Sequence, residues 1–156
     1  MSRFHPYRNI DPFKIPDTAD KLLNEYWDIA ETLGIKTFLL FGTCLGFVRG
    51  DIYIIGDNDI DVGILSGIDE LTAELVKNGF IYKRTYDINR HFLKYGILLD
   101  IFFKFHLPLI DQKYLQSFDK VTYKGRDYNA PHPVEEYLKA RYGDWKTKKL
   151  RKVWEA

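Results

Sequence analysis

Residues 41–65 read FGTCLGFVRGDIYIIGDNDIDVGIL, and this stretch decides how the rest of the chain is read. Asp57, Asp59 and Asp61 stand at every second position, directly before the apolar Val62, Ile64 and Leu65. Side chains of a strand alternate between its two faces. Asp59 and Asp61 therefore share one face, with Cα atoms roughly 6.5–7 Å apart, while Ile60, Val62 and Ile64 point into a core. Asp57 has the same parity, but Gly56 before it places it in a loop. Two carboxylates this close repel unless a cation sits between them, and hard oxygen ligands suit Mg²⁺ or Mn²⁺. An EF-hand fits Asp57, Asp59 and Asp61 as its first ligands. It then fails, because Val62 stands where the loop needs glycine and Ile68 where it needs glutamate. A solvated acidic turn is the plain alternative, yet such turns seldom run straight into a buried strand.

Two further signals flank the acidic pair. Upstream, Gly42 and Thr43 follow the apolar run KTFLLF and open a short helix. A glycine there lets backbone N–H groups approach a phosphate, and the Thr43 hydroxyl can add a donor. Many strand-to-helix turns contain Gly-Thr for geometry alone, so the turn gains meaning from its acidic neighbour. Downstream, Asp100 interrupts ILLDIFF. A carboxylate among large apolar residues is paired or metal-bound. If its strand lies beside 59–65, Asp100 completes a three-carboxylate site; otherwise a lysine such as Lys94 or the backbone satisfies it.

The remaining chain frames one α+β domain. Its 156 residues suffice for a single core, 46% are hydrophobic, and the formal net charge of +1 gives no case for nucleic-acid binding. Cys44 is the only cysteine, which fits a reducing compartment. There is no apolar signal segment at the start and no run of roughly 18 apolar residues, so a cytoplasmic location is expected. Residues 1–16 read as an irregular arm, 17–147 as the domain and 148–156 as a basic tail. Asp17 or Thr18 is expected to cap a helix ending before Gly34. Strands are expected over 36–41, 59–65, 80–86, 90–95 and 97–105, with helices over 67–79 and from Pro133 to Gly143. The segment between reads as strands around a turn at Lys124–Asp127. Helices flanking a mixed sheet result. His91 and His106 are isolated and read as ordinary sheet residues.

The order of these motifs resembles the nucleotidyltransferase (polymerase-beta-like) superfamily, and within it the LicD/fukutin-like phosphotransferase family. GTCLGFVRG with DNDIDVGI, then LLDIF, then PVEEYLKARYGDWKT (133–147) are similar to that family's four ordered motifs. Ile55-Gly56, Asn58 and Phe103 depart from its usual residues. The resemblance implies a nucleotidyltransferase-like mixed sheet in a single domain. It implies Asp59, Asp61 and Asp100 as catalytic and metal-binding carboxylates, with Gly42, Thr43 and Arg49 binding nucleotide phosphates. It further implies a metal-dependent transfer of a phosphorylated alcohol, such as phosphocholine or ribitol phosphate, from a CDP-alcohol donor to a sugar or glycan hydroxyl. The alternatives are nucleotidyl transfer from an NTP to a small molecule, and a non-catalytic relative that binds nucleotide or glycan.

Overall fold

The computed structural model describes residues 15–50 and 59–147. Asp57 and the basic tail at 148–156 lie outside the described residues, as does most of the expected N-terminal arm. The first helix, α1 (Ile15–Thr32), starts inside that arm, so Asp17 stands in its first turn instead of capping it. Pro16 explains the shift, because the first turn of a helix tolerates proline without losing a hydrogen bond.

Strand β1 (Thr37–Leu39) runs into helix α2 (Phe41–Arg49), followed by β2 (Asp59–Ile64) and helix α3 (Ile68–Lys77). Strands β3 (Ile81–Thr85), β4 (Asn89–Lys94) and β5 (Ile97–Phe102) come next. They form a five-stranded sheet in the order β1-β2-β5-β4-β3. Among the described residues only β2 and β5 pair in parallel; the other pairs of this sheet are antiparallel. The chain closes with hairpin β6 (Phe118–Tyr123) and β7 (Arg126–Pro131) and helix α4 (Val134–Tyr142). Lys124 and Gly125 both have positive φ, as a two-residue hairpin turn of the I′ kind requires. The fold is thus a mixed sheet flanked by helices, as the residue pattern predicts.

One face of the sheet carries Ile60, Val62, Leu99, Ile101 and Phe92, all buried. Helices α1 and α3 cover this face. Lys94 reaches Glu25 of α1 at 2.7 Å, and Arg90 reaches Asp69 of α3 at 3.2 Å. The opposite face carries Asp59, Asp61 and Gly63 on β2, and Leu98, Asp100 and Phe102 on β5, by strand alternation. Gly63 is required here for space. A Cβ on it would lie 2.4 Å from the Phe38 ring, and Phe38 is already held against Phe105 and Phe118. No helix among the described residues is long and apolar enough to cross a membrane.

Candidate functional site

The register of the one parallel pair builds the site. Asp61 and Asp100 are directly opposed Cα partners, and Asp59 lies opposite Leu98. Equal parity on adjacent parallel strands puts all three carboxylates on one face. Their ligand oxygens lie within 4.8 Å of one another. Asp61 is 9% exposed and Asp100 7%, so both charges sit in a largely water-excluded place. The donor set passes the test for a hard divalent cation. An octahedral Mg²⁺ with bonds of about 2.0–2.1 Å places its ligand oxygens roughly 2.9–4.2 Å apart. The observed spread is slightly wider, so small side-chain rotations close it on one ion.

The start of α2 meets this cluster. Thr43 Oγ1 accepts the backbone N–H of Asp61 at 2.9 Å, joining the helix to the acidic strand. The expected phosphate donor is therefore first a bracket. Its oxygen is occupied as an acceptor, while its proton remains free to be donated. The first bond inside the helix is from Cys44 N–H to Leu40 O, so the N–H groups of Gly42 and Thr43 precede the helical ladder. They are the donors an anion at a helix start would meet. Phe41, just before them, has φ of +47°, a strained value for an aromatic residue. Three contacts hold it there. Tyr137 Oη of α4 accepts its N–H at 2.9 Å, Phe102 packs edge-on at 4.9 Å, and the Arg141 guanidinium lies over its ring at 4.6 Å.

Arg49 stands at the opposite end of α2 from Gly42 and Thr43. It ends α2, six residues or about 9 Å of helix axis beyond Thr43, and its Nη1 donates to Trp145 O at 3.3 Å. The resemblance motifs GTCLGFVRG and YGDW thus touch each other through this bond. Cys44 is fully buried, and burial pushes its thiol far above the usual range, which suits packing and not nucleophilic attack.

Asp100 has partners that local sequence did not reveal. Asn89 Nδ2 donates to its Oδ1 at 2.8 Å, and His91 Nε2 lies 3.3 Å from its Oδ2. Lys94, the expected alternative partner, lies on the other face and binds Glu25 and the carbonyl of Asn78. His91 is therefore not an isolated sheet residue: it stands opposite Asp100 in the β4–β5 register. The signal available in sequence was parity alone. Asn89 and His91 alternate as Asp59 and Asp61 do, but nothing local says which strand faces them. His106 is exposed and lies outside the carboxylate cluster, and it stands in the loop after β5 instead of in the sheet.

No protein-family profile and no curated protein matches this chain. Solved structures do. A crystal structure of ANT(2")-Ia in complex with adenylyl-2"-tobramycin superposes with a TM-score of 0.60 over 73% of this chain and 69% of that one, at 16% identity. A solution structure of the antibiotic-resistance factor ANT(2'')-Ia gives 0.60 over 83% and 79%, at 13% identity. The chain has the nucleotidyltransferase fold. The expected fold is thereby met, while the finer LicD/fukutin-like resemblance finds no counterpart among these structures.

Proposed function

We propose that the chain is a metal-dependent transferase that moves a nucleoside monophosphate from an NTP to a hydroxyl of a small molecule. The observation that carries this reading is the convergence of Asp59, Asp61 and Asp100 within 4.8 Å, beside a helix start with available N–H groups. The adenylylated antibiotic bound to the structural neighbour supports nucleotidyl transfer over the alternatives. Asp59, Asp61 and Asp100 would hold Mg²⁺ or Mn²⁺, which when bound neutralises phosphate charge and orients the donor.

The residues of the chain do the rest. Gly42 and Thr43 N–H groups bind donor phosphate oxygens, where the helix start favours negative charge. The acceptor hydroxyl oxygen forms the new bond to phosphorus as the bond to the leaving group's bridging oxygen breaks. The electron pair departs with pyrophosphate, and the hydroxyl proton passes to Asp100 Oδ2. Asn89 holds Oδ1 of the same carboxylate, which fixes the orientation of Oδ2. Arg49 serves by tying α2 to the segment at Trp145, and any phosphate contact from it is secondary.

A second reading is transfer of a phosphorylated alcohol from a CDP-alcohol to a sugar or glycan, with CMP leaving. It is favoured by the contact between Arg49 and Trp145, which unites two motifs of the LicD/fukutin-like resemblance. The domain at 17–147 and a cytoplasmic setting belong to both readings. The test incubates the protein and Mn²⁺ with ATP, CTP or CDP-choline and resolves products by mass. Pyrophosphate release supports the first reading and CMP release the second. No Mn²⁺ or donor binding refutes both.

A further inference from the structure

The carboxylate cluster has two unlike sides. Beside β2 stands the start of α2, with its N–H groups for donor phosphates. Beyond Asp100 lies the face of β4 and β3 that carries Asn89, His91 and Arg84, since Arg84 and His91 are register partners. The Tyr86 ring packs on His91 with centroids 4.7 Å apart, and the Arg84 guanidinium lies 4.8 Å from the centre of the Tyr86 ring. Asp100, His91, Tyr86 and Arg84 thus form a continuous row, from a largely buried carboxylate to exposed Tyr86 and Arg84.

Displacement at phosphorus needs the entering and leaving oxygens roughly in line. With the donor phosphates held at α2, the entering hydroxyl arrives from the far side of the cluster, where Asp100 Oδ2 can receive its proton. The row described above is the surface on that side. Its ring faces suit the apolar face of a sugar or another ring, and its outer end is cationic.

We propose that the face of the β3–β4 hairpin formed by Arg84, Tyr86, Asn89 and His91 is the acceptor subsite. The acceptor it takes is a ring-bearing hydroxyl compound with an anionic group, such as a sugar phosphate, and not a polycation. This rests on the transferase reading above and adds the acceptor's charge and place. The hydroxyl lies at Asp100, the ring lies over Tyr86 and His91, and the anionic group pairs with Arg84, where bidentate geometry favours phosphate or carboxylate.

The experiment uses the full chain with Mn²⁺ and whichever of ATP, CTP or CDP-choline it consumes. It compares glucose 6-phosphate, glucose and tobramycin as acceptors by kcat/KM. Glucose 6-phosphate is expected to exceed glucose by about tenfold or more, the scale of one hydrogen bond to a charged group, and tobramycin to be poorest. Arg84→Glu should invert the order of glucose 6-phosphate and glucose. Arg84→Lys should keep it with a smaller ratio. Because the ratio is taken within each protein, a general loss of stability does not move it. Tyr86→Ala should raise KM for both sugars together. Equal use of glucose and glucose 6-phosphate, preference for tobramycin, or an unchanged ratio in Arg84→Glu overturns the proposal while Mn²⁺ and donor binding persist. Failure of Mn²⁺ and every donor to bind overturns the transferase reading itself, and this subsite falls with it.

Discussion

Replacing Asp61 by asparagine separates a metal site from a structural aspartate. The cluster's ligand oxygens lie within 4.8 Å of one another. Two unit charges at that separation repel by about 0.9 kcal/mol in water and about 3.5 kcal/mol at an effective dielectric of roughly 20. Asp61 enters two such pairs, and at 9% exposure it sits between those limits. Counterions relieve part of the repulsion. Neutralising Asp61 should therefore stabilise the metal-free protein by about 2 kcal/mol, a rise of about 4–8 °C in Tm for a chain of this size. The backbone N–H of Asp61 keeps its bond to Thr43, so the local frame survives. Millimolar Mn²⁺ should raise the parent's Tm by mass action and leave the variant almost unmoved. Turnover should fall by about a hundredfold, on the scale of a lost electrostatic contributor. Calorimetry in chelator and in Mn²⁺, with a rate assay beside it, reads all three. A lower metal-free Tm in Asp61→Asn, or an undiminished Mn²⁺ shift, would refute the reasoning.

Thr43→Val leaves the buried Asp61 N–H without its acceptor and should cost about 1–3 kcal/mol by chemical denaturation, whereas Thr43→Ser should cost well under half of that. Gly63→Ala forces a Cβ to 2.4 Å from the Phe38 ring and should destabilise by about 1–3 kcal/mol, with Phe38→Leu in the same chain recovering part of the loss. Burial alone would raise the Asp119 carboxyl. The hydrogen bonds from His132 and the Val134 N–H outweigh it and hold the pKa below the usual value. A carboxyl depressed in the folded state adds stability above its unfolded pKa and loses it as pH falls through the folded one. The stability gap between the parent and Asp119→Asn should thus be full near neutral pH and close below about pH 4, as midpoints of denaturation measured across pH would show.

Much of the fold was legible because its signals are local. The alternation of Asp59 and Asp61 with Ile60, Val62 and Ile64 fixes a strand with one acidic and one apolar face. Asp69, Glu70 and Gly79 mark the ends of α3, and Gly143 marks the stop of α4. Such cues need only the chain's own periodicity and end chemistry. The start of α1 was displaced by three or four residues (from 18 or 19 to 15) because Asp17 stabilises a first turn as readily as it caps one. The partners of Asp100 could not be read in this way. Asn89 and His91 reach it only through the β4–β5 register, and an assignment to Lys94 fits the sequence equally well until that strand's face is known.

By itself, then, the sequence singled out the candidates for chemistry: the acidic pair, the lone aspartate in an apolar strand and the Gly-Thr turn. Each is set by residue type and spacing within a few positions. The tertiary structure alone decided which of them meet. The parallel pairing of β2 with β5 brings Asp61 opposite Asp100 across 39 residues of chain (100 − 61). The Tyr137 hydroxyl from α4 holds the strained turn at Phe41, and Trp145 accepts a hydrogen bond from Arg49 at the far end of α2. These contacts arise from how separate elements pack around one core, and no local pattern encodes the register in which two distant strands settle.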